Sequence, residues 1–383
     1  MRFAIAGSAE RFKPAALPNG WMDHTTYQAQ RYMPVLDGLR GIAVVLVIPL
    51  HLHEPMWYFL SGYAGVTIFF VLSGYLITRL ALQEEAKTGQ LNAPAFYIRR
   101  VFRILPLYYV VLTVYTLLIL GLRFWPTKIA AFRSALPYYL SFFQEIPYWK
   151  AAATHELPFF HSWSLGVEEK FYILWPLLMI CTARARKGVR LASVLAGAVL
   201  FVIQGIASEN QPTYHLEDYG FILFGVFLAL FLSHQDCYRA FARVAKLVLP
   251  FAGVIALITL FDLRPTVNLR GMSTLYALSV TILLGALVSS RSVAAQILSE
   301  PSLVLTGKIS YGIYLVHILC IDAVERVVKP NGGVAAGLLA YLAAFLTSAA
   351  VAYVAHFSLE RPMIRLGRRL SDGFSLALAG TVR

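Results

Sequence analysis

The stretch from Met33 to Leu52, MPVLDGLRGIAVVLVIPLHL, decides the fold, because it is almost entirely apolar yet carries ionisable side chains. Asp37 and Arg40 stand near its start, and His51 lies well inside it. On an α-helix, the path from Arg40 to His51 advances about 16 Å and makes three turns plus about 20°, so both side chains share one face. With Arg40 at the edge of a hydrocarbon layer of about 30 Å, His51 lies near its middle. An ionisable group at that depth faces a cavity, a partner or a substrate path; the alternative is a histidine that makes one hydrogen bond between helices.

The composition is typical of a polytopic membrane protein. Hydrophobic residues make up 58% of the 383 residues and charged residues 14%, against about 45–50% and about 25% in soluble domains. Cys181, Cys237 and Cys320 are too far apart to indicate a disulfide framework or a metal site. The formal charge of +13 lies mainly between apolar segments, which indicates membrane orientation and argues against nucleic acid as a partner.

Ten apolar segments of spanning length follow one another along the chain. They cover residues 36–54, 63–82, 104–122, 163–181, 190–207, 217–233, 247–263, 272–290, 309–328 and 334–357. Segment 136–146 is shorter and flanked by prolines, so we interpret it as interfacial or re-entrant. With the N-terminus inside, 24 of the 33 Lys and Arg residues face the cytoplasm, as the positive-inside rule requires.

These patterns predict an all-α membrane protein, a bundle of about ten transmembrane helices with N- and C-termini in the cytoplasm. We expect residues 1–32 and 371–383 to be cytoplasmic tails of a transmembrane domain over 33–370, with no cleaved signal peptide. The loop 123–162 faces outward in this topology and is rich in aromatic residues, which form either an interfacial belt or a platform for sugar rings.

A second group of ionisable side chains lies in HSWSLGVEEKFYILWP, residues 161–176. This helix enters from the outer side, which brings Glu168 towards the depth expected for His51, while Glu169 points about 100° away. A histidine beside a carboxylate is a general-base pair for acyl transfer to a hydroxyl. The same pair suits a proton relay in a transporter, and in a purely structural alternative Lys170 holds the carboxylates.

An arginine cluster precedes the third apolar segment on the cytoplasmic side. Arg100 and Arg103 are spaced i, i+3 on one helix face, and Arg40 lies on the same side of the membrane. Arginine clusters bind phosphates bidentately, so a phosphate-bearing donor such as an acyl-CoA is a candidate ligand. Ordinary positive-inside anchoring is the alternative. The sequence contains no Gly-rich phosphate loop, Gly-x-Ser-x-Gly elbow or metal-ligand cluster.

Two further segments carry candidate residues. Gly65, Ser73 and Gly74 on the second segment predict close packing of helices or of a ligand's acyl chain. His317, in ISYGIYLVH with Tyr311, is another histidine within an apolar segment, where a single interhelical hydrogen bond is the simpler interpretation.

Taken together, several stretches resemble the membrane acyltransferase-3 family, integral-membrane O-acyltransferases that modify bacterial surface sugars, peptidoglycan, Nod factors and macrolides. The matching stretches occur in family order from about residue 33 to 370. They are LDGLRGIAVVLVIPLH (36–51), GVTIFFVLSGYLIT (65–78), RRVFRILPLYY (99–109), HSWSLGVEEKFYILWP (161–176), ISYGIYLVH (309–317) and LERPMIRLGRR (359–369).

The resemblance implies a ten-helix fold that transfers an acyl group, commonly acetyl, from acyl-CoA as co-substrate, with no permanently bound cofactor. It implies that Arg40 and His51 are the essential pair and that Arg100 and Arg103 bind the donor. Glu168 matches the polar residue of a Ser-x-x-x-Glu stretch, although Lys170 stands where the family usually has Gln. Some members carry an extracytoplasmic SGNH domain; we expect this chain to lack one, so that its membrane domain or a separate periplasmic acyltransferase completes the transfer.

The resulting hypothesis is an inner-membrane O-acyltransferase surrounded by lipid, with a carbohydrate-type acceptor: a surface polysaccharide, a lipid-linked sugar or a glycosylated small molecule. His51 is either the base or the acyl carrier, oriented by Glu168 or by Asp37 through neighbours. The alternatives are a proton-coupled transporter or exporter of a sugar or acylated product, and a sensor or scaffold without turnover. The candidate residues are His51, Glu168 and Arg40 for catalysis, Arg40, Arg100 and Arg103 for the donor, and Asp37, Ser73, Ser164, Tyr311 and His317 in support, with no metal.

Overall fold

A computed structural model describes residues 20–150, 157–183, 187–207, 216–261, 271–329 and 333–381. Within these ranges the chain is helical, and the only extended pairing is one isolated antiparallel bridge between Trp21 and Ser290. The predicted all-α class is confirmed. His155 and Glu156 of the aromatic outer loop and most of the predicted N-terminal tail lie outside the described residues.

The helices follow the predicted apolar segments closely, with short additional helices in the connections. The α-helices are α1 His24–Ala29, α2 Pro34–Val47, α3 Tyr63–Thr88, α4 Ala93–Thr116, α5 Ile129–Leu140, α6 Glu145–Lys150, α7 Trp163–Cys181, α8 Lys187–Ala207, α9 Glu217–Ser233, α10 Gln235–Leu260, α11 Met272–Ser289, α12 Val293–Leu298, α13 Pro301–Lys308, α14 Ser310–Glu325, α15 Val334–Ala355 and α16 Arg361–Thr381. Turns of 3₁₀ type cover Ile48–His51, Pro55–Trp57, Pro126–Lys128 and Phe160–Ser162, and π-helical turns cover Leu117–Gly121 and His356–Glu360.

Six helical stretches among the described residues are long and apolar enough to cross a membrane, and a seventh is added if α13 and α14, bent by 72°, form one span. The six are Pro34–His51, Tyr63–Thr88, Ala93–Gly121, Gln235–Leu260, Met272–Ser289 and Val334–Gly373. Of the other predicted spans, α7 carries Glu168, Glu169 and Lys170, α9 has 17 residues, and α8 is a shorter apolar helix. These helices support a multi-pass membrane protein, while the count of ten and the orientation of the termini stay predictions.

The first predicted span is not one regular α-helix. The α-helix ends at Val47, and Ile48–His51 continue as a 3₁₀ turn that contains Pro49. Proline has no N–H to donate and its ring clashes with the carbonyl four residues earlier, which favours a change of helix type. Because each 3₁₀ residue turns about 120°, His51 lies roughly 100° around the axis from Arg40, and the predicted shared face is wrong.

Small residues bring the central helix α3 into backbone contact with α9. A Cβ on Gly74 would collide with the carbonyl of Ile222, and one on Gly225 would collide with the carbonyl of Val71. Gly65 makes a similar approach to the carbonyl of Ala43 on α2. The packing role predicted for these glycines is confirmed, and α3 is thereby fixed between α2 and α9.

The segment before α2 is folded against the bundle. Arg79 of α3 donates hydrogen bonds to the carbonyls of Tyr27 (2.7 Å) and Gln30 (3.1 Å), and its guanidinium lies 4.4 Å from the centroid of the Tyr27 ring. His24 bonds the carbonyl of Leu232 at the end of α9 at 3.1 Å. This buried arginine therefore fixes the segment before α2 against α3.

Candidate active site

A cavity of about 390 Å³ opens between the helices α2, α3, α4, α7, α14 and α16. Residues from all six stretches that carry the family resemblance converge on it. The predicted site residues that line it are Asp37, Arg40, Ser73, Arg100, Arg103, Ser164, Glu168 and Tyr311. Eight of the ten predicted site residues are thus brought together, and the other two, His51 and His317, lie elsewhere.

Glu168 is held in the cavity wall by two hydroxyl groups. Its Oε1 accepts a hydrogen bond from the Ser73 hydroxyl at 3.0 Å, and its Oε2 accepts one from the Tyr172 hydroxyl at 2.8 Å. The two hydroxyl oxygens are themselves 3.0 Å apart. Tyr172 was missed at the sequence level, although its i, i+4 spacing from Glu168 places both on one helix face. Both carboxylate oxygens are therefore occupied by donors other than histidine.

The three cavity arginines predicted to bind the donor differ from the adjacent Arg99. Among the described residues, no carboxylate makes an ion pair with Arg40, Arg100 or Arg103. The adjacent Arg99 points away and pairs with Glu84 at 3.0 Å. Unpaired guanidinium groups around one cavity form a site for an anion, and their planar forks suit phosphate.

Aromatic rings support one of these guanidinium groups. The guanidinium carbon of Arg100 lies 5.6 Å from the ring centroid of Phe96 and 5.5 Å from that of Tyr172, within the range of a cation–π contact. Tyr172 thus touches both Arg100 and Glu168. The arrangement keeps the arginine next to the carboxylate that lines the same cavity.

The mouth of the cavity carries more polar groups. Tyr32 donates a hydrogen bond from its hydroxyl to Asp37 Oδ2 at 2.8 Å. Partial desolvation, with Asp37 as a smaller cause, raises the pKa of Tyr32 to about 12, so the hydroxyl stays protonated. Asp37 is therefore engaged by Tyr32 at the mouth, and its predicted role in orienting His51 stays a prediction. Further cations line the cavity at Arg31, Lys308 and Arg368.

A histidine–carboxylate pair that the sequence analysis did not predict lines the cavity from the C-terminal side. His356 Nδ1 lies 2.7 Å from Glu360 Oε2, and the two residues span one π-helical turn. Such turns inside longer helices occur frequently at functional sites. The only sign of this pair in the sequence is its i, i+4 spacing, with His356 just before the stretch LERPMIRLGRR and Glu360 within it.

His51 belongs to a cluster of three imidazoles outside the cavity. Its ring centroid lies 5.1 Å from that of His317, and the ring of His161 lies 4.9 Å from His317. Phe160 packs against His51 at 5.4 Å. The expectation that His51 and Glu168 share one cavity is not met, because the 3₁₀ turn rotates His51 away from the face of Arg40. His161 belongs to the predicted motif HSWSLGVEEKFYILWP, but no spacing in the sequence places it beside His317.

Tyr314 separates the cavity from the histidine cluster and touches both. It lines the cavity, and its hydroxyl oxygen lies 2.7 Å from the Ser164 hydroxyl. Its ring lies 5.6 Å from that of His317 and 5.8 Å from that of His161. The candidate donor cavity and the histidine cluster are therefore adjacent regions of one site. Within the described residues, no group of His, Cys, Asp and Glu side chains is arranged to hold a metal ion.

Comparisons with known proteins decide the family. A family model described as an acyltransferase domain, Acyl_transf_3, matches residues 33–357. The chain belongs to the acyltransferase-3 family. Membership in a family of acyltransferases favours the enzyme over the transporter and the scaffold that the sequence left open.

Relatives of known name are similar over most of this chain. A Staphylococcus aureus protein, SAS0844, provisionally named an O-acetyltransferase, is 32% identical over 79% of this chain and 52% of its own length. The peptidoglycan O-acetyltransferase OatA of Listeria monocytogenes is 30% identical over 81% of this chain and 53% of its own. The O-acetyltransferase OatA of Staphylococcus aureus is 28% identical over 88% and 58%. The acyltransferase-3 chain thus spans about half the length of these relatives, and no solved structure matches it.

Proposed function

We propose that this acyltransferase-3 protein is a multi-pass inner-membrane O-acyltransferase that moves an acetyl group from acetyl-CoA to a hydroxyl of a carbohydrate-type acceptor. Ten spans with both termini in the cytoplasm put the arginine-lined end of the cavity on the side where acyl-CoA is made. The Listeria relative is named for peptidoglycan, and a carbohydrate hydroxyl is the acceptor class that this name supports.

One observation carries the donor assignment: Arg40, Arg100 and Arg103 line one cavity without carboxylate partners among the described residues. CoA bears a 3′-phosphate and a pyrophosphate, and guanidinium groups bind such anions through bidentate hydrogen bonds. The volume of about 390 Å³ lies in the range of ligand sites, about 300–1,000 Å³. With the phosphates at the arginines, the pantetheine arm runs along the cavity towards Tyr314.

The chemistry then takes place where the cavity meets the histidine cluster. His51 removes the proton of the acceptor hydroxyl as general base. The acceptor oxygen forms a bond to the acyl carbon, the carbon–sulfur bond breaks, and the proton passes from His51 to the CoA thiolate. Glu168 fixes the hydroxyls of Ser73 and Tyr172 in the cavity wall and balances the charge of the neighbouring arginines.

Acetyl-CoA binding to the purified full-length chain tests the donor assignment. We expect Arg100→Gln and Arg103→Gln each to weaken binding about tenfold, since a hydrogen bond to a charged group contributes about 1.5–3 kcal/mol. Arg99→Gln is the matched control, because Arg99 is adjacent but pairs with Glu84; its affinity should equal that of the wild type. Equal losses at all three positions, or no binding by the wild type, would refute the assignment.

Mass spectrometry of envelope glycans and exported metabolites tests the acceptor class. Cells that lack the gene should lose the mass of one acetyl group from a carbohydrate-containing product, and the wild-type gene should restore it. Unchanged acetylation of all carbohydrate products in the deletion cells would remove the proposed acceptor class. Loss of acetyl groups from a product that contains no sugar would show that the acceptor belongs to another chemical class. The assignment of acetyl-CoA as donor would not be affected.

A further inference from the structure

Two buried imidazoles beside His51 have their protonation pattern fixed by backbone carbonyls. The Nδ1 atom of His317 lies 2.6 Å from the carbonyl oxygen of Tyr314. Since a carbonyl oxygen only accepts, Nδ1 carries the hydrogen, and Nε2 of the neutral ring is left as an acceptor. That Nε2 is buried and has no hydrogen-bond partner among the described residues. His317 itself is fully buried.

His161 shows the complementary arrangement. Its Nε2 lies 3.2 Å from the carbonyl oxygen of Leu315 and so carries the hydrogen, while Nδ1 is the acceptor. This Nδ1 is also buried and without a hydrogen-bond partner in the described part of the chain. Buried polar atoms without partners are uncommon in native proteins, and each calls for a reason. Two such acceptors on adjacent rings indicate a site built to receive a hydrogen from a neighbouring group.

His51 is the neighbour that can supply this hydrogen. The ring centroids of His51 and His317 are 5.1 Å apart. Two ring radii of roughly 1.1 Å plus a hydrogen bond of about 3 Å give nearly the same separation when ring edges face each other. The observed interplanar angle of 47° is compatible with such a contact after a small rotation of His51. Glu168, the group first expected in this role, has both oxygens occupied by Ser73 and Tyr172.

We propose that His317 is the positioning residue for His51, an inference that rests on the function proposed above. Nε2 of His317 accepts a hydrogen bond from one ring N–H of His51, which leaves the other ring nitrogen of His51 without a hydrogen and able to act as base. When that nitrogen takes the acceptor's proton, the positive charge on His51 is stabilised by His317. The proton later leaves His51 for the CoA thiolate, so His317 returns to its starting state. His161 packs behind His317 and holds its ring in place.

Replacing His317 by Asn or by Gln distinguishes the roles of its two ring nitrogens. In His317→Asn the amide occupies the position of Nδ1, keeps the hydrogen bond to the Tyr314 carbonyl and removes the Nε2 acceptor. In His317→Gln the amide reaches the position of Nε2 and supplies an acceptor there. His24→Asn is the control for loss of a histidine hydrogen bond between helices, because His24 bonds the Leu232 carbonyl through Nε2, which Asn does not reach, and lies outside the cavity and the cluster.

The measurement is acetyl transfer from radiolabelled acetyl-CoA to endogenous acceptor in membranes of deletion cells that express each variant. We expect His317→Asn to lower kcat at least tenfold with the KM for acetyl-CoA unchanged, and His317→Gln to recover most of that loss. His24→Asn should match the wild type. Thermal unfolding of each purified variant shows whether a lost rate reflects lost structure, and His317→Asn should unfold within a few degrees of the wild type.

The outcomes separate this inference from the proposed function. Wild-type kcat in His317→Asn, or equal kcat in the Asn and Gln variants, would overturn the positioning role. In that case the proposed function still stands if His51→Ala is inactive in the same membranes and still binds acetyl-CoA. Retained transfer in His51→Ala would instead remove the base assigned to His51 and the positioning role of His317 with it, and absence of transfer in membranes with the wild-type chain would remove the proposed function.

Discussion

The arginine-lined cavity and the histidine cluster lie on either side of Tyr314 of α14. Their polar groups differ in the hydrogen-bond and charge partners that the chain itself provides. Arg100 and Arg103 lack carboxylate partners among the described residues, which favours the proposed binding of an external anion. His161 and His317 are each anchored by a backbone carbonyl, so the cluster is pre-organised by the chain itself. In the proposed function the two regions have different roles: the cavity supplies binding energy and the cluster supplies a fixed base.

The largest effect should come from the cluster. We expect His51→Ala to lower the rate of transfer about 10²–10⁴-fold, the range contributed by a positioned general base, while the affinity for acetyl-CoA stays within about twofold. Single-turnover kinetics and calorimetric titration on the purified chain measure the two quantities. A loss of affinity as large as the loss of rate would show that the two regions do not divide binding from chemistry.

Glu168→Gln tests whether the carboxylate in the cavity wall contributes to the rate of transfer. The amide keeps the size of the side chain but accepts from one hydroxyl only, so Ser73 or Tyr172 loses its acceptor. We expect kcat to fall roughly tenfold, because a hydrogen bond to a charged group contributes about 1.5–3 kcal/mol. Glu169→Gln is the control, since Glu169 does not line the cavity and should keep wild-type kcat. Equal losses in both variants would indicate general destabilisation of α7.

Salt should weaken donor binding in the cavity and should not change the chemistry at the histidine cluster. Raising ionic strength from about 0.1 M to about 1 M shortens the screening length from about 10 Å to about 3 Å, so the KM for acetyl-CoA should rise several-fold. S-acetylpantetheine, which lacks the phosphates, is the matched donor, and its KM should not change with salt. Parallel changes for both donors would argue against phosphate binding by the arginines.

The smallest effect is expected at the mouth. Tyr32→Phe removes the hydrogen bond to Asp37 and should change acetyl-CoA affinity by less than about threefold, as expected for an exposed contact. Because the pKa of Tyr32 is raised to about 12, its hydroxyl stays protonated through about pH 10, where a free tyrosine is half ionised. The affinity for acetyl-CoA should therefore change with pH in the same way in the wild type and in Tyr32→Phe, up to about pH 10.

Much of the cavity was predictable because its residues lie on regular helices at readable spacings. Arg100 and Arg103 lie on one helix and Glu168 on another, as the spacing predicts, and the structure brings the three to one cavity; their roles stay predictions. His51 was placed on the wrong face because Pro49 converts the end of α2 into a 3₁₀ turn, a change of about 20° per residue that spacing rules for an α-helix do not contain.

The histidine cluster was less accessible to sequence reasoning for a different reason. His161 precedes α7 in a 3₁₀ turn, and His317 lies on α14, more than 150 residues later. Their meeting depends on how three helices pack, and no local pattern encodes that packing. The apolar periodicity predicted each helix, whereas the tautomers depend on the carbonyls of Tyr314 and Leu315, which are visible only in three dimensions.

A cryo-electron microscopy map of the full chain with bound CoA tests the central claim most directly. The account predicts the phosphates against Arg100 and Arg103 and the sulfur at Tyr314, beside the imidazoles of His51 and His317. A map with the phosphates away from these arginines, or with the sulfur at the arginine end of the cavity, would contradict it.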